Sequence, residues 1–162
     1  MERVSKHEYY LDIAETVSER STCLRRRFGA IIVKNDVIVS TGYNGAPRGR
    51  KNCSDIGVCQ REKLGIPRGE RYELCRSVHS EANAIIAAPR EQMLGATLYM
   101  CCTSPTDGSI LPDTSNCMMC KRMILNAGIS TVIIRDERGR HRIIETSDWI
   151  ENDDSLSGVF GY

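Results

Sequence analysis

Residues 77–88, SVHSEANAIIAA, contain the helix start from which the rest of the fold can be predicted. From Ala82 onward the residues are mostly small or apolar, which is typical of a buried helix and predicts one over about 79–88. Such helices rarely begin with a histidine and a carboxylate unless those groups have partners. His79 and Glu81 therefore indicate that this helix begins at a functional site.

A second helix start lies at residues 116–120, NCMMC, after a polar loop. We expect this helix to run from Cys117 to about Asn126, with Asn116 as its N-cap and Gly128 as its C-cap. An irregular segment precedes each helix, and a predicted strand lies between the two. Helix N-termini gather at the carboxyl edge of a parallel sheet, so the two helix starts are expected to meet.

The rest of the sequence predicts an α/β fold. An amphipathic helix is expected over residues 5–20, with Tyr9, Ile13 and Val17 on one stripe. The turn residues Asn35-Asp36 join two apolar segments into a hairpin. Strands are expected at residues 28–33, 37–41, 96–102, 130–135 and 142–145. Strands that alternate with helices after a hairpin indicate a three-layer α/β/α sandwich around a central mixed sheet of about five strands.

The chain is expected to form a single domain over residues 1–162, because this length suffices for one sizeable core. Residues 48–76 form a long polar insertion, in which residues 60–65 are expected to be helical. Residues 151–162 form a loosely held tail, whose apolar residues could dock on a neighbour, namely Val159, Phe160 and Tyr162. Trp149 is expected to pack a C-terminal helix onto the sheet.

Composition and charge argue against several function classes. The formal net charge is +1, so the chain lacks the electrostatic footprint of a protein that binds nucleic acid or an anionic membrane. No apolar run is long enough for a membrane span. The first residues, MERVSKHEYYLDIAE, are too charged for a secretory signal, so a cytoplasmic location is expected.

The eight cysteines are the unusual feature of the composition. In a cytosolic protein, clustered cysteine and histidine indicate metal binding rather than disulfides. His79, Cys117 and Cys120 supply one nitrogen and two thiolates, which predicts a zinc site with its fourth position open. An open position is typical of catalytic zinc, which brings the pKa of bound water to about 7. The partial positive charge of a helix N-terminus favours thiolates there.

Glu81 lies two residues beyond the first ligand, so it is not expected to ligate the same metal. Its carboxylate is expected to reach bound water and substrate instead and to act as general acid/base. The pair H-x-E and P-C-x-x-C is the signature of zinc nucleobase deaminases, whereas either half alone is weak. Two alternatives stay open: a deaminase of another cytosine or adenine substrate (CMP, dCTP, or a base in tRNA or DNA), and a non-catalytic zinc-stapled binding module.

The chain resembles the deoxycytidylate (dCMP) deaminases of the cytidine deaminase superfamily over about residues 5–135. The resemblance is carried by CLRRRFGAIIV (23–33), STGYNGAPRG (40–49), VHSEANAI (78–85) and NCMMCKRMILNAGI (116–129). It implies a cytidine deaminase-like sandwich, a catalytic zinc, and hydrolysis of dCMP to dUMP and ammonia for thymidylate synthesis. Glu81 would protonate the ring nitrogen and then the departing amine.

The resemblance also implies roles in substrate binding. The backbone N–H of Ser80 would contact the pyrimidine carbonyl, and Asn44 would bind the sugar hydroxyl. Gly29 and Ala30 lie beside the active site in relatives. A nucleotide phosphate needs cationic partners. Arg26 is the expected phosphate contact, because the run of arginines that contains it leads into the strand with Gly29 and Ala30.

Relatives are commonly homohexamers that are activated by dCTP and inhibited by dTTP, which implies the same regulators and assembly here, with Mg²⁺ accompanying the regulatory nucleotide. The expected regulatory residues are Gly42, Tyr43, Asn44, Gly45 and Arg90. Some relatives hold a second, structural zinc with ligands that match Cys23 and Cys53. With Cys59 and Cys75, four thiolates would close such a site and staple the insertion. The alternative is that these thiols are small buried hydrophobes.

Three features depart from the family pattern. Ser80 stands where relatives usually have alanine, and Asn116 stands where they usually have proline before the first cysteine of the motif. The change at Ser80 is mild because the expected contact of this residue uses its backbone. Asparagine can cap a helix, so zinc binding is expected to survive the change at Asn116. The loop over residues 103–116 is longer than in simpler relatives and is expected to cover the pocket and to influence the choice of substrate.

Overall fold

The computed structural model describes residues 1–153. The expected docking of Val159, Phe160 and Tyr162 lies outside the described residues. Within the described range, no helix has the length and apolar character that crossing a membrane requires.

A five-stranded mixed sheet forms the centre of the molecule, as predicted. Its strands, in the spatial order β2-β1-β3-β4-β5, are β1 Arg27–Lys34, β2 Val37–Tyr43, β3 Thr97–Thr103, β4 Thr131–Glu137 and β5 Arg140–Glu145. Strands β3 and β4 pair in parallel, and every other pair is antiparallel. The predicted α/β/α sandwich with a mixed sheet of about five strands is confirmed.

Seven helices surround or flank this sheet in the described residues. They are α1 Lys6–Ser18, α2 Cys53–Ile56, α3 Gln60–Lys63, α4 Ser80–Ile86, α5 Arg90–Met93, α6 Met118–Ala127 and α7 Ser147–Glu151, with one further 3₁₀ turn at Tyr72–Leu74. The short helices α2 and α5 were not predicted, because four residues give no readable helical period.

The hairpin and the two faces of the sheet follow from local sequence. Asn35 and Asp36 both have positive φ, 50° and 61°, which is the backbone of the two-residue turn that suits a twisted hairpin. Strand β1 is apolar on both faces because each face is covered. Ile31 packs with α1 in one buried cluster, whereas Ala30 and Ile32 pack on the opposite side with α4 and α6.

Two glycines allow helices to approach the sheet closely, one on each face. A Cβ atom on Gly29 would lie 2.0 Å from the carbonyl oxygen of Ala14 in α1. A Cβ atom on Gly42 would lie 2.4 Å from both the carbonyl oxygen of Ser80 and the backbone nitrogen of Ala84 in α4. The position of α4 on the sheet therefore depends on the absence of a side chain at Gly42.

The predicted stripe of the first helix was partly wrong. Its fully covered residues are Tyr10, Leu11, Ala14 and Ser18, while Tyr9 is 49% exposed. Ile13 and Val17 are partly buried beside the same cluster. The predicted stripe lies one residue out of phase because Tyr9 and Tyr10 are equally apolar in sequence. Tyr10 is the buried one, and its hydroxyl donates to Asp36 at 2.6 Å.

The direction of the strands explains why α4 and α6 begin side by side. Strands β2 and β3 each run antiparallel to β1, so they point the same way and end at the same edge of the sheet. The chain leads from β2 through the insertion to α4, and from β3 through a loop to α6. Both helix N-termini therefore lie over one edge.

Candidate active site

The two helix starts bring three metal-binding side chains together. His79 is the N-cap of α4, Cys117 is the N-cap of α6, and Cys120 lies in the first turn of α6. The Nδ1 atom of His79 lies 3.5 Å from Sγ of Cys117 and 3.4 Å from Sγ of Cys120. Within the described residues, this trio is the only set of three or more such donors with all ligand atoms inside 4.8 Å.

The donor set and its spacing fit zinc. With Zn–S bonds of about 2.3 Å and Zn–N bonds of about 2.0–2.1 Å, a tetrahedral ion holds its nitrogen and sulfur ligands about 3.5 Å apart. The observed separations between His79 and the two thiols agree with this value. Three protein ligands leave the fourth position for water or substrate, which is the arrangement of a catalytic site.

The protonation states of the trio are coupled. Burial lowers the pKa of His79, but hydrogen bonds with Cys117 and Cys75 and the charge of Glu81 raise it to about 10. A hydrogen bond from Cys120, assisted by His79, holds the pKa of Cys117 at about 5 despite burial. That same bond, together with burial, raises the pKa of Cys120. The metal-free trio therefore carries protons that zinc must displace.

Glu81 lies beside the trio, and both of its oxygens accept hydrogen bonds. The residue is 4% exposed, and its Oε1 atom accepts from the Ser80 hydroxyl at 2.8 Å. Its Oε2 atom accepts from Nδ2 of Asn116 at 3.0 Å. Two directional bonds from fixed helix starts hold the carboxylate in one orientation, as a group that moves protons requires.

The prediction that Asn116 caps the second helix was wrong. The helix begins one residue later, and Sγ of Cys117 accepts a hydrogen bond from the backbone N–H of Cys120 at 3.4 Å. The Asn116 side chain donates to Glu81 instead, because a hydrogen bond to an ionised carboxylate is stronger than one between neutral groups. The C-cap was predicted correctly, since Gly128 has a φ of 81°.

A cleft of about 510 Å³ opens onto this site. Besides His79, Cys117 and Glu81, its wall contains four cationic side chains and one further carboxylate, namely Arg25, Arg26, Arg68, Lys121 and Asp113. Of the cations only Arg26 was predicted to bind a ligand. Arg68 lies in the insertion and Lys121 one residue beyond the second zinc thiol, and neither position carries a sequence pattern that marks it.

The insertion contributes a second wall and supports His79. Arg61 is buried and donates to the carbonyl oxygens of Pro67 at 2.8 Å and Glu70 at 2.6 Å. Its guanidinium lies 4.4 Å from the centre of the Tyr72 ring. Tyr72 in turn packs edge-on against the His79 ring, with 5.1 Å between ring centres. Sequence reasoning missed Tyr72, because only the fold places it against the histidine.

The end of the loop over residues 103–116 forms another part of the wall. Asp113, Thr114 and Ser115 line the cleft. The backbone N–H of Asp113 donates to Oδ1 of Asp136 at 2.9 Å, and Arg142 donates to both the Thr114 carbonyl and Asp136. The loop is thus anchored to β4 and β5 where it meets the site.

The predicted substrate-binding residues divide into two groups. Arg26, Asn44 and Ser80 line the cleft. Ala30 is fully buried in the core, two residues along β1 from Phe28, which does line the cleft. Asn44 accepts from Phe28 N–H at 2.8 Å and donates to the Arg26 carbonyl at 2.9 Å, so it also ties the ends of β1 and β2 together.

The GYNG segment lies against the catalytic helix. The carbonyl of Tyr43 accepts from Nδ2 of Asn83 at 2.8 Å. Gly45 and Val78 exchange backbone hydrogen bonds of 3.2 and 2.7 Å immediately before His79. Together with the close approach at Gly42, these contacts give the segment a structural role in holding the start of α4.

Arg90 lies apart from the cleft wall. Its Nη1 atom donates to the carbonyl of Asn126 at 2.6 Å, near the end of α6. It lines a separate open groove between α4, α5 and α6.

The four cysteines before the catalytic motif are near one another without forming a compact donor set in the described residues. Burial raises the pKa of Cys53, and Cys23, Cys75 and Cys59 add to the effect. Burial also acts to raise the pKa of Cys75, but hydrogen bonds with His79 and the Ser77 backbone outweigh it and lower the pKa. Cys75 therefore lies beside His79 as well as beside the other three cysteines.

Comparisons with known proteins identify the family of this chain. The family model described as the cytidine and deoxycytidylate deaminase zinc-binding region matches residues 4–135. A deoxycytidylate deaminase from Mycobacterium phage D29 is 36% identical over 142 residues, which cover 85% of this chain and 99% of that protein. The Schizosaccharomyces pombe deoxycytidylate deaminase is 32% identical over 131 residues, which cover 81% of this chain but only 37% of the yeast protein.

Solved structures agree with the sequence relatives. The dCMP deaminase of cyanophage S-TIM5, solved in complex with dCMP and dUMP, superposes with a TM-score of 0.56 at 27% identity. The superposition covers 96% of this chain and 95% of that one. Because the family model spans most of the chain and includes both halves of the zinc motif, the chain belongs to the cytidine and deoxycytidylate deaminase family.

Proposed function

We propose that the protein hydrolyses the amino group of dCMP, giving dUMP and ammonia. The observation that carries this proposal is the buried carboxylate of Glu81 beside the trio of His79, Cys117 and Cys120. Glu81, His79 and Cys117 all line the same cleft. A purely structural zinc site does not require a buried carboxylate beside its ligands, whereas a hydrolytic site requires a general acid/base there. The relatives named deoxycytidylate deaminase and the phage structure that holds dCMP and dUMP support this substrate.

His79, Cys117 and Cys120 would hold the zinc ion. The bound ion supplies Lewis acidity and lowers the pKa of a water molecule, so that the nucleophile forms near neutral pH. Glu81 would accept a proton from the attacking water and deliver it to the ring nitrogen next to the amino-bearing carbon, while the water oxygen forms a bond to that carbon. It would then pass the proton left on that oxygen to the amino group, so that the carbon–nitrogen bond breaks, ammonia leaves and the oxygen remains as the new ring carbonyl.

Other groups in the cleft would orient the nucleotide. The backbone N–H of Ser80, at the first position of α4, is proposed to bind the pyrimidine carbonyl, because the first N–H groups of a helix lack intrahelical partners. Asn44 is proposed to bind the sugar hydroxyl with the Nδ2 hydrogen that does not donate to Arg26. Ala30, which is fully buried, is proposed to act only through packing below these groups.

The excess of positive charge favours a nucleotide over a nucleoside. Four cations and two carboxylates line the cleft. Arg25 pairs with Glu62 at 2.9 Å, so Arg26 and Arg68 are the arginines that we propose for the phosphate. Arginine suits this role because its planar fork can donate two parallel hydrogen bonds.

The test is the loss of ultraviolet absorbance of the cytosine ring when zinc-loaded protein is mixed with dCMP. Wild type is expected to deaminate dCMP, whereas Glu81→Gln is expected to keep its zinc and lose at least about 10²-fold in kcat. Arg26→Gln should raise KM for dCMP with little effect on deoxycytidine, and Arg20→Gln, an exposed arginine outside the cleft wall, is the matched control. Wild-type inactivity on dCMP, with zinc bound and dCTP present, would refute the proposal.

We also propose a structural zinc held by Cys23 together with the three cysteines of the insertion, Cys53, Cys59 and Cys75. The proposal is supported by their proximity, since Cys23, Cys75 and Cys59 lie near enough to act electrostatically on the Cys53 thiol and to help raise its pKa. Metal analysis should give about two zinc ions per chain, and about one after Cys23→Ser with Cys53→Ser. One ion per chain in the wild type would instead leave these four cysteines as free thiols, of which only Cys53 is buried.

Regulation and assembly remain predictions that rest on the family resemblance. These are activation by dCTP and inhibition by dTTP with Mg²⁺, binding at residues 42–45 and Arg90, a homohexamer, and a cytoplasmic location. Arg90 and the GYNG segment contact different ends of the α4–α6 pair, so a nucleotide bound by both would have to bridge them or to involve another subunit. Sedimentation with and without dCTP tests assembly and regulation together.

A further inference from the structure

Asn116 has two polar ends, and the structure uses only one of them. Its Nδ2 atom donates to Oε2 of Glu81 at 3.0 Å and lies 3.6 Å from the sulfur of Met100. Its Oδ1 atom is buried and has no hydrogen-bond partner among residues 1–153. The residue is 3% exposed and lines the cleft.

The orientation of this amide is fixed by its neighbour. If the amide were turned over, Oδ1 would face the Glu81 carboxylate, and two acceptors without a shared proton would meet. The Nδ2 hydrogens therefore point to Glu81 and Met100, and Oδ1 can only accept. A buried acceptor that accepts nothing is costly, so this atom calls for a donor from whatever fills the cleft.

A second donor holds the other oxygen of the same carboxylate. The Ser80 hydroxyl donates to Oε1 of Glu81 at 2.8 Å, and Ser80 is fully buried. Ser80 and Asn116 therefore fix Glu81 from two different helix starts. Of these two residues, Asn116 is the one whose buried acceptor lacks a partner among residues 1–153.

We propose that Oδ1 of Asn116 recognises the exocyclic amino group of the substrate, while its Nδ2 atom and the Ser80 hydroxyl orient Glu81. This inference rests on the proposed deaminase function. The amino group is attached to the ring carbon next to the nitrogen that Glu81 protonates, so one amide can reach both partners. Asn116 is thus a specificity-determining residue, and Ser80 is a positioning residue.

The proposed contact distinguishes substrate from product. Before the reaction the group facing Oδ1 is an amino donor, and the departing ammonia is still a donor. After water has replaced ammonia, the ring carries a carbonyl oxygen there, and two acceptors face each other. Asn116 should therefore favour the aminopyrimidine and weaken binding of the product, which promotes its release.

The test compares the dissociation constant of dUMP, measured calorimetrically on zinc-loaded protein, with KM and kcat for dCMP. Asn116→Leu keeps the approximate volume and removes the acceptor. We expect its ratio of dUMP dissociation constant to dCMP KM to fall by about ten-fold or more, as the substrate loses a partner and the product loses a repulsion. Ser80→Ala, the matched control, should lower kcat by about ten-fold and leave that ratio unchanged.

The possible results either support or refute the recognition role of Asn116. An unchanged ratio in an Asn116→Leu protein that keeps zinc overturns the recognition role, as does an equal change in Ser80→Ala. If the leucine variant loses zinc, the same ratio is measured for Asn116→Ala. If both variants lose zinc, Asn116 supports the metal site, and the inference is overturned. Wild-type inactivity on dCMP would refute the proposed function itself, whereas an active wild type with an unchanged ratio refutes only this inference.

Discussion

Replacing Gly42 with alanine tests whether the sheet sets the position of the catalytic helix. The added Cβ atom would lie 2.4 Å from the carbonyl oxygen of Ser80 and from the backbone nitrogen of Ala84. Ordinary contacts of this kind are about 3.4 Å or longer, so α4 must move outward by about 1 Å. The carbonyl of Ser80 belongs to the first turn of α4, so the shift falls on His79 and Glu81.

The expected cost has two parts. Overpacking of a core contact typically costs about 1–3 kcal/mol of unfolding free energy, which for a chain of this size lowers Tm by roughly 2–4 °C per kcal/mol. A displacement of about 1 Å at a catalytic group can lower the rate by about 10²-fold. We therefore expect Gly42→Ala to reduce kcat/KM for dCMP about 10²-fold in protein that is still folded, and to weaken zinc binding.

The matched control is Gly29→Ala on the opposite face of the sheet, where the new Cβ atom would press on α1, 2.0 Å from the carbonyl of Ala14. It should lower Tm at least as much and leave kcat/KM of the folded fraction within about two-fold. Ile31→Val, in the same α1 cluster, is a milder control that costs about 0.5–1.5 kcal/mol. If Gly42→Ala and Gly29→Ala lose Tm alike and both keep their activity and zinc affinity, the proposed coupling between β2 and the site is wrong.

Three further predictions concern protons and buried charge. With a His79 pKa of about 10, a Cys117 pKa of about 5 and a raised Cys120 pKa, His79 and Cys120 are protonated at pH 7. Zinc binding at pH 7 should therefore release about two protons, which can be measured by calorimetry in buffers of different ionisation enthalpy. The release of no protons would contradict these protonation states. Arg135 is fully buried and pairs with three carboxylates of α1. Arg135→Met should therefore lower the unfolding free energy, measured by chemical denaturation, by about 3–5 kcal/mol and leave the zinc content unchanged. A loss below about 1 kcal/mol would show that this ionic cluster is dispensable. Burial acts to raise the pKa of Glu8, but the Gly139 N–H and Arg135 lower it overall. The stabilising effect of Glu8 is therefore present above its ordinary pKa and is lost as the pH falls through the lowered value. The Tm difference between wild type and Glu8→Gln should shrink as the pH falls below the ordinary pKa of glutamate, and a constant difference would refute this.

Much of the fold could be predicted because its signals are local. The hairpin follows from two turn residues between apolar segments. Strands β1, β3 and β4 follow from apolar runs that are buried almost throughout. The zinc ligands and Glu81 could be predicted because each lies at a helix start, where sequence carries capping and polarity signals. Helix α1 shows the limit, since choosing between Tyr9 and Tyr10 as the buried residue depends on where Asp36 lies.

The rest of the site could not be predicted because it depends on approaches between distant segments. Asn116 looked like a helix cap, and its partner Glu81 is 35 residues earlier in the chain. Tyr72 reaches the site because Arg61 folds the insertion against itself. Arg68 joins the cleft in the same way. No spacing rule connects these residues, because a flexible segment can place its side chains in many ways until tertiary contacts select one.

The sheet separates the parts of the molecule that provide stability from those that provide chemistry. On the α1 side, a fully buried arginine and the carboxylates of one helix form an ionic cluster whose members are all different from the residues that line the cleft. On the other side, α4 and α6 hold every proposed ligand of the catalytic zinc and Glu81 at their first turns. Because the five strands form one hydrogen-bonded layer, substitutions under α1 should change the free energy of unfolding while the geometry of the trio persists. Substitutions under α4 should change both, which is why Gly42 and Gly29, two residues of neighbouring strands that face opposite helices, are expected to behave differently.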